Sequence, residues 1–303
     1  MCAPSTEETV VSSISGEGTP YDYERFGKHW YDGNAELTGY TLEQARYGEI
    51  HKGEAALIFV TEDFSDTKHV KIDRPSSERN DQVNVLKLNF SKKFITGIYP
   101  YSMMLSSFTP LKDGKSHAPL KITVGSQDWC GQSFVQLNRD DKGYEVNSYS
   151  YFETEGDQNF NVGSTLSEDG LWTQIRMNPD ALPTGEHDII PGIFYQRLRH
   201  VQNPVHKANL SLYDMEANEY SSESHKVYEI TYPDANRSLK IFFESEFPFG
   251  ILGWEEETWR GSGENRRSLT TKAKRNATIR SPYWSQNRNK DRVLRAQLGL
   301  PTN

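Results

Sequence analysis

The stretch LKITVGSQDWCGQSFVQLN, residues 120–138, decides our expectation of the fold. The pattern predicts two strands, residues 120–127 and 132–138, and in the first of them Leu120, Ile122 and Val124 alternate with polar neighbours, which is the period of a strand with one buried face. The DWCG segment at 128–131 is short enough for a tight hairpin, and we expect Gly131 to supply a positive φ there. The sequence therefore predicts an antiparallel strand pair at its centre.

Similar short runs recur every 8 to 12 residues, as is typical of an antiparallel meander, sandwich or barrel. We expect a dozen or so strands, including 36–40, 43–51, 53–62, 83–90, 94–105, 144–154, 171–177 and 268–280. Turns are expected at Lys52-Gly53 and at 91–93, a short helix or turn at 21–30, and a short helix at 291–298. These patterns predict an all-β protein with a large antiparallel curved sheet, or partly open β-barrel, and a short C-terminal helix.

Composition supports one large domain. Only 35% of the 303 residues are hydrophobic, but aromatics reach 12%, which suits sheets with one dry and one wet face. No window approaches 18 apolar residues, so we expect no transmembrane helix. We divide the chain into a flexible N-terminal tether (1–20), a single β domain (21–280) and a basic C-terminal tail (281–303).

Charge is distributed unevenly along the chain. Residues 260–303 contain 11 Lys or Arg and 2 Asp or Glu, a net charge of +9. The whole chain carries −8, so residues 1–259 carry −17. Such a tail can bind nucleic acid, bind anionic head groups or a protein partner, or fold back on its own acidic domain. Tyr283 and Trp284 are adjacent rather than interleaved with basic residues, so we expect no nucleic-acid partner.

Cys2 stands directly after Met1 and before a Ser-, Thr-, Glu- and Gly-rich segment. A Cys at the head of such a flexible tether resembles the lipidated Cys of a mature bacterial lipoprotein. The alternative is an ordinary cytosolic N-terminus with a chance Cys. We expect lipidation at Cys2, and hence a protein anchored to a membrane of the bacterial cell envelope, in the periplasm or outer membrane.

Most catalytic signatures are absent: no GxGxxG, P-loop, HExxH or GxSxG motif occurs. We therefore predict no cofactor and no metal site. Two groups leave a hydrolase of envelope glycans or esters open as an alternative: Asp128 with Cys130, and the acidic pairs at 153/155 and 255–257. Turn capping and ordinary packing explain the same residues without catalysis, and this is the explanation that we favour.

Our leading expectation is a non-enzymatic protein that binds a hydrophobic or amphipathic, lipid-like molecule or an envelope partner. The dense apolar segment 247–254 either plugs one end of a barrel or lines the ligand pocket. The predicted ligand-binding residues are Met103, Met104, Trp129, Phe247, Phe249 and Trp254. A purely structural or interaction protein of an envelope complex is the remaining alternative.

Two strings, TLEQARYGEIHKGEAALIFVTEDF within 30–70 and QDWCGQSF in the central hairpin, resemble an uncharacterised family of envelope lipoproteins from Bacteroidota and related bacteria. Members sometimes carry the label "septum formation inhibitor Maf". Maf pyrophosphatases are α/β proteins with an S-x-R-R-type motif after their first strand, and nothing near the start of this sequence matches it. In outline, the long meander and tether are also similar to lipoprotein carriers of the Lol type, which implies a curved sheet that encloses acyl chains.

Overall fold

A computed structural model of the protein describes residues 23–76, 78–111, 118–201, 204–260 and 267–302. The strands are β1 Ala35–Arg46, β2 Glu49–Ser65, β3 Val70–Lys71, β4 Gln82–Thr96, β5 Tyr99–Pro110, β6 Lys121–Asp128, β7 Gly131–Asp140, β8 Gly143–Ser150, β9 Gln158–Gly163, β10 Leu166–Ser167, β11 Gly185–Ile190, β12 His206–Met215, β13 His225–Tyr232, β14 Arg237–Phe243, β15 Ile251–Arg260 and β16 Arg267–Ser281. The helices are α1 Tyr23–Trp30, α2 Glu168–Met177, α3 Ile193–Arg199 and α4 Val293–Gln297. The predicted all-β class and short C-terminal helix are confirmed.

All sixteen strands belong to one curved sheet, with β1 near its middle. From β1 the chain runs outward through β2 and β4 to β9, and β3 pairs only with β2. It then returns from the opposite edge, β10, through to β16, which pairs with β1. The two edge strands, β9 and β10, are joined by residues 164–165. In the described ranges no ladder connects them, so the sheet curls round but stays open at this seam.

The concave side of the sheet encloses α2. All residues of this helix are buried, including its charged ones. Trp172 of α2 packs edge-to-face against Phe90 of β4 and Trp254 of β15. The helix therefore joins the two halves of the sheet into one core.

Helix α2 replaces a predicted strand at 171–177, and that prediction was wrong. Leu171 and Ile175 are four residues apart and both buried, which is helical spacing. Glu168 and Asp169 occupy the first turn, where negative charge complements the helix dipole. The apolar residues were attributed to a strand because the helix is buried on every side and therefore lacks a polar face.

Two predicted turns were also wrong. The first hairpin turns at Tyr47 and Gly48, which both have positive φ, and Gly53 lies inside β2. A Cβ on Gly53 would lie 2.3 Å from the backbone oxygen of Lys93. Strand β4 likewise continues through residues 91–93 to Thr96, before a turn that includes the positive-φ Gly97. Gly53 is therefore explained by the close approach of the neighbouring backbone. Gly97 is explained by the positive φ of the turn that follows β4.

The central hairpin forms as predicted, with β6 paired to β7. Gly131, however, is not among the residues with positive φ. A Cβ there would lie 2.5 Å from the Tyr151 ring, so the glycine makes room for this ring.

Residues 1–22, and with them Cys2 and the predicted tether, lie outside the described residues. No helix in the described part is both long enough and apolar enough to cross a membrane.

Candidate functional site between the sheet and the C-terminal arm

After β16 the chain turns back onto the outer face of the sheet. We call residues 283–300 the C-terminal arm. Its Leu298 and Leu300 are only 5% and 8% exposed, and they line a cavity together with residues of β1, β2, β4 and β16. The basic tail was expected either to bind an anionic partner or to fold back on its own domain. Residues 283–300 fold back on the domain.

The arm lies directly against β1. A Cβ on Gly39 would be 2.1 Å from the backbone oxygen of Leu298, so this approach requires glycine. Arg295 Nη2 donates to Glu54 Oε1 of β2 at 3.2 Å. Asn276 Nδ2 of β16 donates to the Gly299 carbonyl at 3.3 Å. Backbone contact, one ion pair and two buried leucines thus hold the arm.

Between the arm and the sheet lies a cavity of about 310 Å³. We call it the arm cavity. Its apolar lining comprises Leu37, Ala55, Ala56, Ile58, Ile279, Leu294, Leu298 and Leu300. Outward-facing aliphatic side chains normally meet water, and here the arm covers them instead. A mostly apolar cavity of this size matches the lower range of small-molecule sites, roughly 300–1,000 Å³.

Polar side chains also line this cavity. Lys93 is exposed, and among the described carboxylates none is paired with its ammonium group. Arg295 shares its charge with Glu54, and the Asp291 carboxylate accepts a hydrogen bond from the Arg288 backbone at 3.0 Å. The cavity therefore combines an apolar wall with a lysine and an aspartate, neither of which has a partner of opposite charge among the described residues.

A second group of unusual residues lies inside the sheet, at the N-terminal end of α2. Arg237 Nη1 and Nη2 donate to the Glu168 carboxylate at 2.5 and 2.7 Å, and Arg237 Nε donates to Glu256 at 2.7 Å. The Tyr232 hydroxyl donates to Glu168 at 2.6 Å. All four side chains are buried, so this is a fully desolvated ionic network.

Asp169 and Lys92 extend this network. Burial raises the pKa of Asp169 to about 7, and the neighbouring Glu168 charge adds to the effect. Asp169 Oδ2 accepts a hydrogen bond from the Ile193 backbone at 3.0 Å, at the start of α3. The Lys92 ammonium lies 5.2 to 5.7 Å from the centroids of three aromatic rings, and burial lowers its pKa.

The C-terminal end of α2 is fixed by Arg176. Its guanidinium donates to both oxygens of Glu36 at 2.6 and 2.9 Å and to the Pro248 carbonyl at 2.8 Å. It also stacks on Trp30 and Phe59, 5.1 and 4.7 Å from their centroids. Burial would raise the pKa of Glu36, but the charge and hydrogen bonds of Arg176, with His29, hold it at about 2.

Perturbed pKa values make this interior network a candidate for catalysis, but its geometry favours a structural role. Each carboxylate already has partners that would have to be displaced by a substrate. The cavity beside Glu256 measures only about 10 Å³, room for at most one water.

A smaller cleft of about 70 Å³ lies near the open seam, between β7–β9 and α3. Val135, Val146 and Phe160 are among its apolar walls. At its rim Glu155 is paired with Arg197 and His200. Hydrogen bonds from these partners outweigh burial and hold the pKa of Glu155 at about 2. The cleft is amphipathic but much smaller than the arm cavity.

The structure does not bring the six predicted ligand-binding residues together. Met103 and Trp254 are buried in the core, whereas Met104 is on the outer face and Trp129 is in the exposed hairpin turn. Phe247 and Phe249 contact each other beside His29, in the loop before β15. Adjacent residues of a strand face opposite sides of the sheet, which separates Met103 from Met104.

The residues proposed for a hydrolase are also dispersed. Asp128 caps the hairpin turn by accepting a hydrogen bond from the Cys130 backbone at 2.6 Å. Glu255 pairs with Lys272, and Glu256 belongs to the interior network. No cluster of three or more potential metal-ligating side chains occurs in the described ranges.

Fold and geometry together define a mostly β protein whose curved sheet encloses a helix and carries an apolar cavity under its C-terminal arm. No protein-family model, curated protein or solved structure matches the chain.

Sequence reasoning missed the arm cavity because it treated the tail mainly as a charged segment. One signal was present: Leu294 and Leu298 are four residues apart in the predicted helix, and Leu300 follows. An apolar stripe on a basic helix indicates a packed face. The sheet residues beneath it, such as Leu37 and Ile58, could not be assigned to a covered outer face from sequence.

Proposed function

We propose that this protein binds a small lipid-like amphipathic molecule in the arm cavity, with an apolar chain between sheet and arm and an anionic head group near Lys93. The observation that carries the proposal is a mostly apolar cavity of about 310 Å³ whose lining includes Lys93, a lysine without a carboxylate partner in the described part of the chain. This site differs from the one expected from sequence, since the concave side of the sheet is occupied by α2.

Burial of the chain provides the affinity. Each methylene removed from water contributes on the order of 0.8 kcal/mol, which is roughly a fourfold change in Kd. Lys93 contributes charge selectivity. The arm covers the cavity, and its two buried leucines, Leu298 and Leu300, form part of the wall against which the ligand packs.

Envelope location belongs to the same proposal. The Cys2 tether and the resemblance to envelope lipoproteins support anchoring to a bacterial membrane, where amphipathic molecules are abundant. A protein partner that contacts the basic arm remains a further proposal, since the arm's exposed arginines lie on the outside of the domain.

The test measures binding of saturated fatty acids of increasing length by isothermal titration calorimetry. We expect Kd to fall about fourfold per methylene and then to level off when the cavity is full. Lys93→Met should weaken binding of the carboxylates but not of the corresponding alcohols. No binding at any chain length, or no dependence on length, would contradict the proposal.

Two matched variants locate the site. Ala56→Phe places a ring in the arm cavity and should reduce binding at least tenfold. Ile95→Phe adds the same ring at an exposed position on the outer face of β4 and should leave binding unchanged. If both variants behave alike, the ligand is elsewhere, and the seam cleft becomes the next site to mutate.

A further inference from the structure

A second surface with ligand-binding character lies on the outer face of the sheet, at the end of the central hairpin. Its centre is a row of directly opposed residues on β5, β6, β7 and β8. In order these are Met104, Gly125, Phe134 and Tyr149. Met104, Phe134 and Tyr149 are 45%, 40% and 49% exposed, so three large side chains stand in water around one glycine.

The row borders a shallow trough of about 500 Å³. Gly125 has open space above it, with nothing within 4 Å of a Cβ built there. Since neighbouring strands are about 4.8 Å apart, the row from Met104 to Tyr149 extends for roughly 14 Å. The trough is therefore long enough for an extended ligand that crosses the strands. We call this surface the aromatic trough.

Uncharged polar side chains flank the row on both sides. Gln127 stands opposite Gln132 on the side of the turn, and Thr123 stands opposite Gln136 on the other. Within the described part of the chain, these four side chains make no hydrogen bonds to other residues. Their amide and hydroxyl groups can donate hydrogen bonds to a ligand and accept hydrogen bonds from it.

Charge is nearly absent from this surface. Asp157 is the one charged residue among the side chains that line the trough. A membrane surface or a nucleic acid would call for lysines and arginines, and none lines the trough. The strands are also paired on both sides, so no free backbone edge is available to a peptide strand.

We propose that the aromatic trough binds a neutral polysaccharide. Sugar rings present C–H groups on their faces, which suit the negative faces of Phe134 and Tyr149, and hydroxyl groups on their edges, which suit the flanking amides. Trp129, 68% exposed in the adjacent turn, lies at the end of the same hairpin and extends the aromatic surface. The site is separate from the arm cavity and does not depend on it.

Affinity electrophoresis in native gels tests the proposal with the full chain. The gels contain a β-glucan, a xylan or a galactomannan as neutral probes, and polygalacturonate as the anionic comparison. We expect retardation by at least one neutral polymer. Retardation by none of the neutral polymers, or by the anionic one alone, overturns the proposal.

Variants then assign the binding to this surface. Phe134→Ala and Tyr149→Ala should each raise the Kd for the retarding polymer at least tenfold, with only a small change in the melting temperature because neither ring belongs to the buried core. Tyr31→Ala removes a ring that is 54% exposed elsewhere and should have no effect. Unchanged binding by the Phe134→Ala/Tyr149→Ala double variant overturns the assignment. So does a concentration-dependent dimer that this double variant abolishes, since the surface would then bind a second copy of the chain.

Discussion

Replacement of Asp169 by asparagine should stabilise the protein at neutral pH. Asp169 is completely buried at the start of α2, and burial, with the adjacent Glu168 charge, raises its pKa from 3.8 to about 7. Asparagine has nearly the same shape, carries no ionisable proton and can still accept the hydrogen bond from the Ile193 backbone. The variant therefore removes the cost of the buried carboxyl without creating a cavity.

The direction of the pH dependence follows from the number of protons bound by the folded and unfolded states. Between about pH 4 and pH 7 the folded protein keeps the Asp169 proton while the unfolded chain has lost it, so the free energy of unfolding falls as pH rises. The interval from 3.8 to about 7 corresponds to about 4 kcal/mol at about 1.4 kcal/mol per pH unit. Structural relaxation makes this an upper value. Asp169→Asn should match the wild type near pH 4 and exceed it increasingly toward pH 8.

Urea unfolding followed by tryptophan fluorescence, at pH 2, 4, 6 and 8, measures the difference. Asp32→Asn is a control of opposite sign, since hydrogen bonds from Arg280 and Asn34 outweigh burial and hold the pKa of Asp32 at about 2. That variant should be less stable than the wild type at pH 8, and the gap should close toward pH 2. A difference for Asp169→Asn that is independent of pH, or largest at pH 4, would refute the reasoning.

Two further predictions concern the buried ion pair and the arm. Arg176→Met leaves the Glu36 carboxylate buried without its arginine partner and should cost on the order of 3–5 kcal/mol of stability. Arg176→Met combined with Glu36→Gln should recover part of this loss. Equal losses in both variants, measured by urea unfolding at pH 7, would argue against the importance of the ion pair. Gly39→Ala places a Cβ against the Leu298 carbonyl and should displace the arm, which limited trypsin digestion detects as faster cleavage after its arginines. Gly163→Ala, with nothing within 4 Å of its Cβ, is the matched control, and equal digestion rates would contradict the prediction.

Strand periodicity was sufficient to predict the class of fold, although two turns were misplaced. The central hairpin shows why the periodicity was sufficient: Ile122 and Val124 of β6 are buried and alternate with polar neighbours, so the pattern of a strand with one buried face is visible in the sequence. The same reasoning failed at α2, where Arg176, Glu168 and Asp169 are buried with partners from distant strands. Burial of charge depends on Arg237 and Glu36, which are far away in sequence, and no local pattern reveals such pairs.

The candidate sites were less predictable than the fold. Met104 and Trp129 were selected as ligand contacts in a pocket, but both are exposed and lie on or beside the aromatic trough. Their residue types indicated a binding surface of aromatic and apolar side chains. The face of the sheet on which each side chain lies depends on strand register, and a shift of one residue moves it to the opposite face. The arm cavity needed tertiary information, since Leu37 and Leu294 are brought together only by the return of the chain.

The position of β1 in the middle of the sheet has a consequence for the order of folding during synthesis. Its partner β16 follows all the other strands of the sheet along the chain, so the β1 edge has unpaired backbone groups until β16 has been made. The meander from β1 to β9 can assemble early through contacts between neighbours, whereas closure of the β1–β16 pair joins residues more than two hundred positions apart. While β16 is still missing, pairing of the open β1 edge with another chain competes with completion of the protein's own sheet.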